Sequence, residues 1–120
     1  MPREELIREL LAARVEHARG QVMRLRGEIR EVTLAHRDTP ADDEHDPEGS
    51  TVTLERERAV ALLAGVEAQL AELRDAQERL AHGTFGTCER CGQPVPAERL
   101  EVRPEARHCV TCAGIRARGH

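Results

Sequence analysis

The chain has 120 residues, only one of them aromatic (Phe85), and 33% of them are charged. So few large apolar side chains exclude a large globular core and favour an elongated helical protein. All 18 basic residues are arginine, the net charge is −4, and no apolar run approaches the roughly 20 residues of a membrane-spanning helix. Because no apolar signal segment follows Met1 either, we expect a soluble, cytoplasmic protein with no membrane partner.

The first predicted element is one long helix from Pro2 to about Arg37. Its apolar residues recur in steps of four and three, which is the pattern of a heptad seam. The seam consists of Leu11, Val15, Ala18, Val22, Leu25, Ile29 and Val32. Pro2 suits the first turn of a helix, and the acidic residues that follow it suit the positive end of the helix dipole.

The helical pattern stops at residue 38 and gives way to a predicted loop over residues 38–50. This loop has two prolines, one glycine, six acidic residues and no arginine. A solvated turn accounts for such a composition. A functional alternative is that acids at the end of a helical hairpin enter a basic or metal-containing cavity, with Asp43, Asp46 and Glu48 as the candidate residues.

A second helical pattern follows, capped by Ser50 or Thr51 and stopped by His82 and Gly83. Its seam again steps by four and three, through Val52, Ala59, Leu63, Val66, Leu70, Leu73 and Leu80, with Arg56 and Gln77 as polar members. Two seams of similar length joined by a short loop predict an antiparallel coiled-coil hairpin about 50 Å long over residues 1–82.

The remaining segment, residues 83–120, contains all four cysteines. They form two Cys-x-x-Cys pairs, Cys88 with Cys91 and Cys109 with Cys112. Two such pairs at this separation are typical of a four-thiolate zinc site. Since protein would fill all four positions, we predict one structural Zn²⁺ and no catalytic metal.

Other roles for the cysteines are less consistent with the sequence. Two disulfides would need an oxidising compartment, and a thioredoxin-like redox motif would need a strand-helix-strand pattern that the sequence lacks. His82 and His108 are spare candidate ligands, but with four thiols present we expect them to be surface histidines.

Neither an enzyme nor a DNA-binding protein is indicated. No catalytic triad, phosphate-binding loop or open metal site can be assembled from these residues. Direct DNA binding by the finger would use its arginines, but the chain is acidic and no helix presents a dense basic face. The arginines concerned are Arg90, Arg99, Arg103, Arg107, Arg116 and Arg118.

Three segments together resemble the zinc-finger signature of the DksA/TraR family of bacterial transcription factors. They are GTFGTCERCG at residues 83–92, RLEVRP at 99–104 and CVTC at 109–112. The resemblance implies an all-α protein in which a coiled-coil hairpin precedes a small four-cysteine zinc finger. It also implies binding to RNA polymerase rather than to DNA, with the hairpin inserted through the secondary channel and the tip acids near the catalytic magnesium.

The sequence departs from this family in two regions. Well-known members have Asp-x-x-Asp-x-Ala at the tip, whereas residues 46–50 read DPEGS. Members that cooperate with guanosine tetraphosphate carry basic residues where this chain has Gly65, Glu72 and Ala113. A pocket without these charges is expected to hold a polyphosphate poorly.

The competing hypothesis is a zinc-stapled adaptor whose hairpin pairs with another protein and has no activity on polymerase.

Overall fold

The computed structural model describes residues 2–37 and 47–118, with side chains described for residues 4–35 and 51–115. Over these ranges the chain forms helices and no β-strand: α1 (Pro2–Arg37), α2 (Pro47–His82), α3 (Ala97–Val102) and α4 (Val110–Arg118). The predicted all-α class, with two long helices before a small module ending in a short helix, is confirmed. No helix in the described ranges is both long and apolar enough to cross a membrane.

The start of α2 differs from the predicted cap at Ser50 or Thr51. The helix already begins at Pro47, so residues 47–50 of the predicted loop are helical. Proline is favoured at the first position of a helix because its missing N–H would have no partner there, and its fixed φ suits the helix. Glu48 is then the second residue of the helix.

The end of α2 follows the predicted stop at His82 and Gly83. Gly83 has φ = 80°, a left-handed conformation that favours glycine. Its N–H donates to the carbonyl of Leu80 at 3.3 Å, and the N–H of Thr84 donates to the carbonyl of Arg79 at 2.9 Å. This pair of bonds is a Schellman motif, which satisfies the last carbonyls of the helix and turns the chain toward the cysteines.

The chain packs as two compact units, which we call the helical unit (Glu16–Leu70) and the zinc-containing unit (Met1–Val15 with Ala71–His120). In the helical unit, Arg26 Nη2 lies 3.2 Å from Glu67 Oε2, and Arg56 Nε donates to Thr33 Oγ1 at 3.1 Å. Of these two contacts, the one further along α1 is made by the residue that comes earlier in α2. The two helix segments are therefore antiparallel in this unit.

The predicted seams supply the buried residues of the helical unit. Ala18, Val22 and Ala59 are buried, and the other described seam residues are half-buried except Arg56, which is exposed. Arg56 stays at the surface and bonds Thr33 instead. The buried positions are thus occupied by small side chains, two alanines and a valine.

The zinc-containing unit has a separate set of buried side chains. Leu11 of α1 and Leu73 of α2 are 0% and 1% exposed, and Ala76, outside the predicted seam, is also completely buried. Pro104 and Ala106 are buried in the segment before Cys109. This unit groups the cysteine-containing segment from residue 83 onward, which we call the zinc module or cysteine module, with parts of both long helices. The domain boundary after residue 82 stays a prediction.

Candidate metal centre

The first cysteine pair lies in a tight turn between Thr87 and Pro94, which form an isolated antiparallel β-bridge. Val95 N–H donates to the carbonyl of Gly86 at 2.8 Å, and Cys88 N–H donates to that of Gln93 at 2.8 Å. At the turn, Gly92 has φ = 74° and its N–H donates to the carbonyl of Cys88 at 2.9 Å. The left-handed glycine lets the chain reverse within a few residues, so both sulfurs of the pair face one point.

The second pair lies at the start of α4. Cys109 immediately precedes the helix and Cys112 is its third residue, and Ala113 N–H donates to the carbonyl of Cys109 at 2.9 Å. A bond between the Glu89 N–H and the Arg107 carbonyl, at 2.9 Å, ties the segment before Cys109 to the first turn. Residues far apart in sequence are thereby brought to one place.

The four sulfurs form a cluster with the dimensions of a zinc site. All four Sγ atoms lie within 4.8 Å of one another, and Cys91 Sγ is 3.9 Å from Cys109 Sγ. A tetrahedron with Zn–S bonds of about 2.3 Å has edges of about 3.8 Å. A disulfide would need about 2.05 Å, and all four cysteines are free thiols. The arrangement fits one tetrahedral cation with no position left for water.

Neither candidate histidine belongs to this cluster. The cluster of possible metal ligands in the described residues consists of the four cysteines alone. The His82 Nδ1 lies 2.7 Å from the carbonyl of Glu78, one turn earlier in α2. His82 is exposed, as expected of a surface histidine, whereas His108 is half-buried.

The thiols differ in how readily they ionise. Backbone hydrogen bonding from Cys91, with further bonds from Cys109 and Arg90, lowers the pKa of Cys88 to about 6 although burial opposes it. Side-chain contact with Cys109, reinforced by burial, raises the pKa of Cys112 to about 12. One sulfur is thus prepared as a thiolate, whereas four adjacent thiolates are unfavourable without a cation. A bound Zn²⁺ would supply that charge.

A cluster of ion pairs that the sequence analysis did not find lies beside the cysteines. Arg107 Nε donates to Glu72 Oε2 at 2.7 Å and its Nη1 to Glu89 Oε1 at 3.0 Å, while its Nη2 donates to Asp75 Oδ2. The hydrogen bond to Glu72 raises the pKa of Arg107 above its ordinary value. Glu72 and Asp75 are one helical turn apart, but nothing in the sequence pattern pairs them with a residue more than 30 positions away.

The predicted tip residues are not described at the level of their side chains. Asp43 and Asp46 lie outside the described residues, and Glu48 is described only as part of the helical backbone of α2. Their role stays a prediction.

Comparison with known proteins identifies the family. The family model described as "Prokaryotic dksA/traR C4-type zinc finger" matches residues 83–116. The chain is also 30% identical over 122 residues to the RNA polymerase-binding transcription factor DksA of Escherichia coli, covering 92% of this chain and 74% of that protein. The chain belongs to the DksA/TraR family. The family's zinc finger and the four converging cysteines confirm one structural zinc ion as the cofactor.

Other relatives match only part of this chain. An uncharacterised Aquifex aeolicus protein is 46% identical over 52 residues, which are 42% of this chain and 36% of that protein. YteA of Bacillus subtilis is 35% identical over 66 residues, which are 55% of this chain and 28% of that protein. The chain therefore spans about a third of the length of these relatives.

A solved structure supports the fold over nearly the whole chain. Transcription factor DksA2 from Pseudomonas aeruginosa superposes with a TM-score of 0.81, covering 98% of this chain and 85% of that one, at 24% sequence identity. The fold is thus shared with that protein.

Proposed function

We propose that this protein is a transcription regulator that binds RNA polymerase. The observation that carries the proposal is the match to the E. coli RNA polymerase-binding factor, which extends over 92% of this chain rather than over the zinc finger alone. A protein that shares both parts of that factor has the elements to bind the same enzyme. It would act in the cytoplasm, where bacterial transcription takes place.

The proposed route is the secondary channel of the polymerase, with the hairpin as the inserted part. Six acids in residues 38–50 carry a charge of −6 against −4 for the whole chain. Carboxylates are hard oxygen ligands suited to Mg²⁺ and attract basic side chains. We infer that Asp43, Asp46 and Glu48 perturb the catalytic magnesium or its surroundings, and that the zinc module acts as the anchor outside the channel.

The described arginines argue for a protein partner rather than for DNA. Arg107 is surrounded by three carboxylates, and Arg99 Nε donates to the carbonyl of His108 at 2.9 Å. Two of the four described arginines proposed for phosphate contact are therefore engaged within the protein. Arg90 and Arg103 are exposed, but two cations on an acidic chain are a weak basis for binding DNA.

We also propose that guanosine tetraphosphate is not an effector. At one of the family's basic positions this chain has Glu72, which already accepts a hydrogen bond from Arg107 at 2.7 Å. Its carboxylate would repel a polyphosphate, and pairing with Glu72 holds the nearby Arg107. Regulation by this protein should be the same with and without the nucleotide.

The protein is proposed to act by binding, without catalysis of its own. Four thiolates complete the coordination of a tetrahedral zinc ion, whereas a catalytic zinc needs an open position for water or substrate. The zinc would hold the module in shape and supply no reaction step.

The test is in vitro transcription with purified polymerase and a tip variant, Asp43→Asn/Asp46→Asn/Glu48→Asn. This variant should keep its helicity and zinc but lose most of the regulatory effect, because asparagine keeps a polar side chain and removes the charge. The matched control removes three exposed acids elsewhere in the described helices, Glu5→Gln/Glu9→Gln/Glu57→Gln. Full regulation by the tip variant would show that these acids are a solvated turn.

The competing function is a zinc-stapled adaptor for a different protein. It is favoured by apolar side chains at the surface of the helical unit, where Leu54 and Leu62 of α2 are 63% and 54% exposed. Leu62 also lines a groove of about 350 Å³ together with Val32 of α1 and several charged residues. The two functions can be separated by immobilising this protein on an affinity column and applying polymerase. Retention of polymerase that is reduced in the Leu54→Ser/Leu62→Ser variant would favour the regulator. Absence of retention would favour the adaptor.

A further inference from the structure

We infer that Arg107 is a positioning residue that couples the zinc centre to α2, so that Glu72 and Asp75 strengthen zinc binding without being ligands. This inference goes beyond the proposed function and does not depend on polymerase binding. It follows from three features of the zinc-containing unit, which are the geometry of the guanidinium, its position between the two cysteine pairs, and the balance of charge around it.

The guanidinium of Arg107 has one carboxylate on each nitrogen. Glu72 and Asp75 come from α2, and Glu89 comes from the turn between Cys88 and Cys91. Arginine presents its donors in a rigid planar fork, so three acceptors from two parts of the chain can be held in fixed directions at once. A lysine ammonium is a single point on a flexible chain and cannot reproduce that arrangement.

Arg107 is connected to both halves of the metal site. It lies two residues before Cys109, and its carbonyl accepts the N–H of Glu89 at 2.9 Å. Glu89 in turn bonds Arg107 through its carboxylate at 3.0 Å and lies directly after Cys88. A backbone bond and a side-chain bond therefore fix the two cysteine pairs to each other, and the bonds to Glu72 and Asp75 fix both to α2.

Neighbouring contacts hold the segment around Arg107 to the same surface. Arg79 of α2, whose side chain is 11% exposed, donates from Nη2 to the carbonyl of Glu105 at 3.2 Å. On the other side, Arg99 Nε donates to the carbonyl of His108 at 2.9 Å. With Pro104 and Ala106 buried, the segment that delivers Cys109 has little freedom to move away from α2.

The charges make Arg107 the central cation of this region. Four thiolates with one Zn²⁺ carry a net charge of −2, and three carboxylates lie close by. Without Arg107, the repulsion among these groups would oppose both metal binding and the contact with α2. Glu72 and Asp75 therefore strengthen zinc binding only through Arg107, which their hydrogen bonds hold in place. The side chain of Arg107 is 26% exposed, so solvent screens part of this effect and a moderate change in affinity is expected.

Coupling of this kind is reciprocal, because each site must affect the other by the same factor. If contact with α2 strengthens zinc binding, then bound zinc must stabilise the end of α2. Removal of zinc should therefore increase amide hydrogen exchange over residues 72–79, in addition to exchange within the zinc module. The end of α2 and the zinc module would behave as one cooperative unit.

The test measures zinc affinity of the full chain by competition with a chromophoric chelator. The variant Glu72→Gln/Asp75→Asn changes neither a cysteine ligand nor Arg107 itself. We expect it to bind Zn²⁺ about 10-fold more weakly, at the low end of the range seen when outer groups of a metal site are removed. The matched control, Glu67→Gln/Glu78→Gln, also removes two acids from α2. Among the described residues neither carboxylate forms a hydrogen bond or ion pair with the zinc module, so this variant should bind Zn²⁺ as the parent does. Equal affinity of all three proteins would overturn the inference.

A double-mutant cycle with Arg107→Gln separates coupling from independent effects. Arg107→Gln should weaken zinc binding clearly in the parent and less in the Glu72→Gln/Asp75→Asn background, where its two partners on α2 are already gone and only Glu89 remains. Additive losses would contradict the coupling.

Arg107→Lys tests whether the planar guanidinium is needed. Lysine keeps the positive charge, and we expect this variant to bind Zn²⁺ more weakly than the parent. Full zinc affinity would show that charge alone suffices. If Arg107→Gln does not fold, the acid variant and its control still decide the question.

Discussion

Removal of zinc should unfold the cysteine module and leave the helical unit folded. The buried cluster at the centre of the module consists of Cys88, Val95 and Cys112, with Leu100 and Cys109 packed against it. Burying a valine contributes about 1.5–3 kcal/mol, whereas structural zinc contributes about 10–16 kcal/mol in zinc-finger peptides. The metal therefore dominates the stability of the module, and Cys88→Ser should abolish its structure.

The size of the effect on helicity follows from the lengths of the elements. α3 and α4 have 6 and 9 residues, against 36 in each of α1 and α2. Loss of the two short helices removes about a sixth of the total helix, so ellipticity at 222 nm should fall by about that fraction. If the end of α2 frays as well, as the Arg107 contacts imply, the loss should be somewhat larger but well below half.

Circular dichroism and hydrogen exchange on zinc-loaded parent, chelated parent and Cys88→Ser would measure this directly. The amide of Val95 should lose its protection, while that of Val66 in the helical unit should keep it. Loss of more than half of the ellipticity would show that zinc holds the long helices together. An unchanged spectrum and unchanged protection at Val95 would show that the module folds without metal, and either result would refute the reasoning.

The remaining predictions concern the packing of the long helices, each measured as the free energy of unfolding in denaturant. Leu73 is 1% exposed, so Leu73→Ala should lower the free energy of unfolding by about 3–5 kcal/mol. Leu62→Ala, at an exposed position, should change it by less than about 0.5 kcal/mol. Equal costs would contradict the burial. Leu25→Asp and Leu70→Asp place a charge in the half-buried seam and should each cost at least about 2 kcal/mol. Arg19→Asp, which loses an exposed pair with Glu16, should cost well under 1 kcal/mol, and a cost matching the seam variants would refute the heptad assignment.

The parts of the fold that could be predicted are those encoded by local spacing. Periodic apolar residues predict α1 and α2, and His82 with Gly83 predicts the end of α2 because glycine is favoured at the left-handed position after a helix. Spacing also predicts the zinc site, since two cysteines separated by two residues bend back toward one cation. None of these inferences requires knowledge of which distant residues meet.

The parts that were missed depend on short elements or distant partners. α3 has only 6 residues, too few for a periodic pattern to stand out. Pro47 is ambiguous, because proline marks both loops and the first position of a helix. Ala76 is completely buried beside the predicted seam residue Gln77, which is consistent with the drift of a 3.6-residue helix against a seven-residue repeat. The pairing of Arg107 with Glu72 joins residues 35 positions apart, and only the folded chain brings them together.

The most direct test of the proposed function is equilibrium binding of the zinc-loaded, fluorescently labelled protein to purified bacterial RNA polymerase. We predict saturable binding of one protein per polymerase, nearly unchanged in Asp46→Asn/Glu48→Asn and strongly weakened when zinc is removed, because the module is then unfolded. No saturable binding by folded, zinc-loaded protein at micromolar polymerase would contradict the account.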